Sequence, residues 1–259
     1  MSWFPLSARR SVDLHLFALP GLPEIRRGAD LAALIADAAR RSERGVEAGD
    51  VFVVAQKAVS KAEGAIRRLD DVAPSAAAVA WAKETGKDAR LVEVILREAK
   101  RIVRMERGIL IAETRHGFVC ANAGVDTSNV EPGFATVLPD DPDSSAERLR
   151  QALSREFTCD VAVIVSDTFG RAWREGVVNV ALGVAGLQPL LDYRGRVDTY
   201  DRPLTSTVIA LADELASAAE IVTRKSAGTP VAIVRGVAEW AGDGNGRMLI
   251  RDASRDLFR

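Results

Sequence analysis

Three short apolar runs each deliver the chain into a cluster of polar side chains, and this recurrence constrains the fold more than any other feature. Asp50-Val51-Phe52-Val53-Val54-Ala55 leads into Gln56-Lys57-Ala58-Val59-Ser60-Lys61. Gly117 to Ala121 leads into Asn122-Ala123-Gly124-Val125-Asp126-Thr127-Ser128-Asn129. Asp160 to Val165 leads into Ser166-Asp167-Thr168-Phe169-Gly170-Arg171. Short apolar runs of this kind read as strands buried in a sheet. Polar groups at their ends are well placed to meet a ligand.

Around these runs the spacing predicts further elements. An extended opening, Val12 to Ala18, turns at Pro20-Gly21-Leu22-Pro23, and Asp30 stands as the N-cap of a helix from Leu31 to Ala39. Residues 75 to 105 read as helical, with Ala76 to Glu84 separated by Gly86 from Arg90 to Arg101. Gly108 to Ala112 and Gly117 to Ala121 form an expected hairpin. Asp143-Ser144-Ser145 is set to cap a helix from Ala146 to Glu156. An apolar, glycine-spaced stretch from Val177 to Leu187, a polar turn around Tyr193 to Arg202, a helix from Thr207 to Val222 and a strand from Val231 to Val234 complete the core. Strands and helices do not alternate regularly, so the expected class is α+β or mixed α/β, with short strands in mixed or antiparallel sheets and interspersed helices. No repeat or linker-like run divides the chain, and residues 1–259 are read as one domain.

Composition removes several function classes. A formal net charge of -1 gives no basic excess for nucleic acid or an anionic membrane, so an anionic ligand must be held by local charge. No run reaches the roughly 18 apolar residues of a membrane span, and the opening lacks the uninterrupted apolar core of a signal peptide. Cys120 and Cys159 belong to no CxxC spacing and read as free thiols in a reducing, cytoplasmic setting.

The polar clusters carry the candidate chemistry. Asp126, followed by Thr127, Ser128 and Asn129, and Asp167, between Ser166 and Thr168, offer hard oxygen donors suited to magnesium or manganese. An Asp-Thr-Ser-Asn run is more often a turn that bonds to itself than a metal site. Lys57 and Lys61 flank a short turn where ammonium groups could neutralise phosphate, or they are solvated surface lysines. Arg171 and Arg174 could clamp a phosphodiester or carboxylate, or join a surface ion-pair network with Glu175. The chain contains no P-loop and no GxGxxG after a strand. GxSxG is also missing, and neither His15 nor His116 has a catalytic partner at suitable spacing, so no hydrolase triad is supported.

These segments together resemble the coenzyme F420-0:L-glutamate ligase family, also called the gamma-glutamyl ligase of F420 biosynthesis. The matching stretches are Gly21 to Ile25, DVFVVAQKAVSKAEG from Asp50, ANAGVDTSN from Ala121, LPDDPDSSAERL from Leu138, SDTFGRAWREG from Ser166, Gly183 to Leu187, Asp192 to Gly195 and Ala212 to Ala216. They follow the family's order and cover nearly the whole chain.

The resemblance implies a GTP-dependent ligase that acts as an intertwined homodimer and uses two Mg2+ or Mn2+ ions, with K+ as a further candidate ion. Its substrates would be GTP, coenzyme F420-0 and L-glutamate, with no nucleic-acid or membrane partner. By matching position, the metal ligands would be Asp126, Asp167 and Thr168. Nucleotide contacts would come from Gly21, Leu22, Pro23, Glu24, Gln56, Lys57, Lys61 and Asn129, and from Lys225, Ser226, Ala227 and Gly228 in the loop before Pro230. That loop reads Thr223-Arg224-Lys225-Ser226-Ala227-Gly228, where relatives commonly have a Met-Gly pair followed by an acidic or amide residue. A nitroreductase-like fusion, found in some members, is not expected. Two alternatives stay open: an amide ligase acting on a different acid, and a non-catalytic nucleotide-binding paralogue.

Overall fold

In chain order, the elements are β1 (His15–Ala18), α1 (Leu31–Arg41), β2 (Val51–Ala55), α2 (Gln56–Glu63), β3 (Ile66–Arg68), α3 (Ala76–Thr85), α4 (Ala89–Glu98), β4 (Ala99–Glu106), β5 (Ile109–Thr114) and β6 (Val119–Ala121). They continue as β7 (Phe134–Thr136), α5 (Pro142–Phe157), β8 (Ala162–Arg171), β9 (Arg174–Ala185), β10 (Leu191–Asp192), β11 (Val208–Ile209), α6 (Leu211–Thr223) and β12 (Val231–Arg235). This computed structural model describes residues 13–257.

The centre is a five-stranded sheet in the order β1-β12-β2-β8-β9. Only β2 and β8 run parallel; the other neighbouring pairs are antiparallel. Successive strand residues point to opposite faces, and this period divides the apolar core in two. Phe52, Val54, Val163, Val165, Val231 and Ile233 pack with α1, α2 and α5 on one face. Val51, Val53, Ala162, Ile164, Ala232 and Val234 pack with α6 on the other. The strands are apolar on both sides because both sides are covered. Each fully buried Val, Ile or Phe contributes roughly 1.5–3 kcal/mol relative to exposure.

A smaller layer is built from the β4-β5-β6 sheet, α3 and α4, around Val94, Ile95, Leu110, Ala112, Val125 and Val137. Mixed and antiparallel sheets with interspersed helices make the class α+β, as expected. Asp30 caps α1, its Oδ1 accepting from the backbone N–H of Ala33 at 3.0 Å. Gly86 ends α3 in a left-handed conformation, and β5 pairs with β6 as the sequence predicts.

Several expectations need correction. The helix expected to reach Arg101 stops at Glu98, and Ala99–Glu106 form a strand paired with β5. Asp141, not the Asp143-Ser144-Ser145 run, caps α5, which starts at Pro142. The helix expected from Thr207 begins at Leu211. The segment carrying Lys57 and Lys61 is no turn but the helix α2. Strand β8 does not end before Ser166 but runs on to Arg171, paired with β9 from Val163 onward with two register shifts. Val12 lies outside the described residues.

Candidate functional site

A cavity of about 690 Å³ opens where β2 ends and β8 continues. Four segments meet there: Leu22 to Ile25 after β1, the start of α2, the middle of β8, and the loop from Thr223 to Pro230 between α6 and β12. Asn129, Val130 and Glu131 close a further side.

Of the sequence-predicted residues, Leu22, Pro23, Glu24, Gln56, Lys57, Lys61, Asn129, Asp167, Thr168, Lys225, Ser226 and Gly228 line this cavity. Gly21 and Ala227 adjoin lining residues without lining it themselves. Asp126 is joined to it through Lys57, whose Nζ lies 2.6 Å from Asp126 Oδ2. Arg171 and Arg174 are set apart. They face each other across the turn of the β8-β9 hairpin, and Arg171 Nη2 donates to the Glu175 carbonyl at 2.7 Å.

The two lysines of α2 stand four residues apart, which puts them on one face of the helix. Lys57 Nζ also donates to Ser128 Oγ at 2.5 Å and to the Ser128 carbonyl at 3.2 Å. Lys61 Nζ pairs with Glu24 Oε1 at 2.6 Å. Gln56 is buried, and its amide nitrogen donates to Ser60 Oγ at 2.6 Å and to the Val137 carbonyl at 3.1 Å. That side-chain donor is thus committed to holding α2 against the segment that follows β7.

Asp126 owes its position to unusual backbone. Asn122, Ala123 and Gly124 have φ of 52°, 53° and 74°, three successive left-handed residues directly before Val125 and Asp126. Non-glycine residues rarely adopt this region, and such strain concentrates at functional sites. A Cβ at Gly124 would meet Leu138 Cγ at 2.6 Å, so the turn also needs glycine for space. Asp126 then receives the Ser128 backbone N–H at 2.7 Å and Ser128 Oγ at 3.1 Å. Burial would raise its carboxyl, but the hydrogen bonds from Lys57 and Ser128 outweigh that and hold it below the ordinary carboxylate range.

Asp167 is the opposite case. Burial pushes its carboxyl up to about 6, despite the Thr168 backbone N–H and the positive charges of Lys57 and Lys225, while the negative charge of Asp126 adds to the rise. Lys57 links the two sites, since it pairs with Asp126 and lines the cavity beside Asp167. Next to Asp167, Thr168 Oγ1 donates to Asn179 Oδ1 at 2.8 Å and accepts from Lys225 Nζ at 2.9 Å.

The donors that the sequence nominates for a cation are hard oxygens: the carboxylates of Asp126 and Asp167 and the hydroxyl of Thr168. Among the described residues no group of three or more His, Cys, Asp or Glu is gathered as a metal cluster. An ion held here would therefore complete its shell with ligand or solvent oxygens. That habit fits Mg2+ or Mn2+ and not a closed zinc site. Cys120 lies near Asp167, and burial pushes its thiol up to about 12, which makes it an inert core residue.

Asn179, Ser166, Glu131 and Glu220 also line the cavity and were not anticipated. Asn179 carries a legible signal, a single amide inside the apolar stretch that follows Val177. Glu220 carries none, because an exposed-looking glutamate near a helix end is commonplace.

Residues 21–236 match the family described as F420-0:Gamma-glutamyl ligase. The coenzyme F420:L-glutamate ligase of Methanopyrus kandleri is 49% identical over 251 residues, covering 95% of this chain and 98% of that protein. The namesake protein of Methanothermobacter thermautotrophicus is 46% identical over 252 residues, covering 96% of this chain and 100% of the relative. That of Archaeoglobus fulgidus is 40% identical over 247 residues, 95% and 96% of the two chains. With a family match across most of its length and similarity that extends nearly end to end, this chain belongs to the F420-0:gamma-glutamyl ligase family.

Proposed function

We propose that this chain joins L-glutamate to coenzyme F420-0 at the expense of GTP, giving F420-1 and, by repetition, longer gamma-glutamyl tails. The observation that carries the reading is the gathering of Asp167, Lys57 and Lys61 around one cavity large enough for a nucleotide, with Asp126 joined to it through Lys57. Family membership supplies the acceptor and the amino acid, since the relatives are named for them.

A free carboxylate is a poor electrophile with no adequate leaving group, so an amide ligase must first activate its acid. Here the terminal carboxylate of F420-0 attacks the γ-phosphate of GTP, breaking its bond to the β,γ-bridging oxygen and releasing GDP, to give an acyl phosphate; the α-amino group of glutamate then attacks the acyl carbon, releasing inorganic phosphate and a proton. Positioning and electrostatics carry most of such a phosphoryl transfer. Lys57 and Lys61 exchange their present carboxylate partners for phosphate oxygens. Asp126, Asp167 and Thr168 would hold Mg2+ or Mn2+, and such an ion would supply charge neutralisation at the transferring phosphate. Glu24, Leu22, Pro23, Asn129 and the loop around Ser226 and Gly228 enclose the rest of the nucleotide. Arg171 and Arg174 lie outside the cavity of a single chain, so their role as substrate clamps requires the homodimer. The exposed hairpin tip, with Trp173 81% and Val177 57% exposed, supports such an assembly.

The test is mass analysis after incubation with F420-0, GTP, Mn2+ and glutamate. The expected product carries added glutamyl units, and Asp126→Ala or Asp167→Ala prevents their addition. GTP turnover on another acid, with F420-0 unchanged, would show that the acceptor is wrong.

A further inference from the structure

The three lysines of the cavity are not equivalent. Lys57 and Lys61 each pair with a carboxylate at 2.6 Å. Lys225 instead rests on a neutral oxygen, Thr168 Oγ1, at 2.9 Å. The hydroxyl is oriented for this contact. Asn179 Oδ1 accepts its proton at 2.8 Å, so the lone pairs of Thr168 Oγ1 are left for a cation. Asn179 is itself fixed, lying opposite Thr168 in the β8-β9 ladder and accepting through its carbonyl from Ser217 Oγ at 2.7 Å. A hydroxyl held in this way, beside a carboxylate, is a binding position for a hard cation, and the cation found on it is an ammonium.

The loop that carries Lys225 is built to present it. Thr229 Oγ1 donates to the Thr223 carbonyl at 2.6 Å and ties the loop's two ends together. Arg224 adopts φ of 53°, which turns the chain sharply out of α6 just before the lysine. The apex is therefore held in place while the Lys225 stem remains exposed and able to rotate.

We propose that Lys225 is a tethered cation that competes with a divalent ion for Thr168, so that an ion must displace the ammonium before it can use this oxygen and binding in this cavity is weakened accordingly. The proposal rests on the metal reading given above. A divalent ion would need the Thr168 oxygen at about 2.0–2.1 Å for magnesium, and an ammonium hydrogen-bonded to the same atom would then stand in direct like-charge contact with it. Removing the ammonium frees the position, whereas arginine keeps it charged.

Mn2+ alone is the probe, followed by electron paramagnetic resonance of the unbound ion and by calorimetry on the full chain. Relative to the parent protein, Lys225→Gln should gain a further Mn2+ per chain or bind Mn2+ about tenfold more tightly, a change equivalent to about 1.4 kcal/mol. Lys225→Arg should show neither gain. Adding Thr168→Val to Lys225→Gln should remove what was gained. Identical stoichiometry and affinity in the parent and Lys225→Gln would overturn the proposal, as would a gain that survives Thr168→Val. If Mn2+ still binds and Asp126→Asn abolishes it, while Lys225→Gln changes nothing, only the lysine's role falls. If Mn2+ binds none of these proteins, or binds irrespective of Asp126 and Asp167, the metal reading falls with it.

Discussion

Two cavities open at opposite ends of the β2-β8 pair, about 690 Å³ beyond the end of β2 and about 780 Å³ beside its start. Volume does not distinguish them; the engagement of their charges does. In the first, each lysine is matched to a side chain distant in sequence: Lys57 to Asp126, Lys61 to Glu24, Lys225 to Thr168. Such partners can part when a phosphate arrives. In the second, Asp143 Oδ1 accepts the backbone N–H groups of Val184 at 2.9 Å and Gly246 at 2.6 Å. Arg150 bonds Glu147, less than one helical turn away, at 2.7 and 2.8 Å. These charges hold the fold together and have little to offer a ligand.

The contrast can be broken most severely at the carboxylates. Asp126→Asn or Asp167→Asn should lower kcat/KM by ~10²–10³-fold, the range seen when one preorganised electrostatic contact is removed. Asp143→Asn should leave steady-state kinetics nearly unchanged. A large kinetic effect from Asp143→Asn would dissolve the distinction. Next, Lys57→Met should raise the KM for GTP about ten- to hundredfold, since a charge-assisted hydrogen bond contributes ~1.5–3 kcal/mol and 1.4 kcal/mol is a factor of about ten. The parent value in that variant would mean that Lys57 serves Asp126 alone.

The far cavity gives smaller effects, in stability. Asp143→Ala leaves amides of Val184 and Gly246 without their acceptor and should cost about 1–2 kcal/mol in urea unfolding. The Glu147 carboxyl is held below its ordinary value of 4.5, chiefly by hydrogen bonding from Arg150. A depressed carboxylate stabilises the fold above its unfolded pKa and loses that contribution as pH falls through its folded value. The stability gap between the parent and Glu147→Gln should therefore be largest near neutral pH, no more than about 1 kcal/mol for a partly exposed pair. It should close below pH 4.5. A gap that widens on acidification would contradict the assignment.

The sequence made some of this legible and concealed the rest for identifiable reasons. Apolar runs ending in polar clusters located β2 and β8, because strands covered on both faces must be continuously apolar, and also β6, which buries only Cys120. Helix α2 was hidden: its first turn lacks a side-chain cap, since Ala55 stands at the N-cap position. The end of α4 was misread because Ile102 falls at helical spacing from Ile95, whereas pairing with β5 decides the conformation from Ala99 onward. Asp167 lies within β8 and not beyond it, because β9 offers a pairing partner as far as Arg174, and no local pattern reveals a partner strand. Arg171 and Arg174 share a motif with Asp167, yet the hairpin carries them away from the cavity. Adjacency in sequence along a long strand is distance in space, at about 3.4 Å per residue.

Helix α2 also acts as a ruler. Lys57 and Lys61 are separated by about 6 Å along its axis and by only about 40° around it, so their ammonium groups form a pair in fixed phase. One residue inserted between them would swing the second lysine by about 100° and point it away from the first. A deletion would do the same in the opposite sense. The length of this segment is thus under control of its own, separate from the packing demand on the buried Ala58 and Val59, and even an apolar insertion that the core accepted would break the lysine pair.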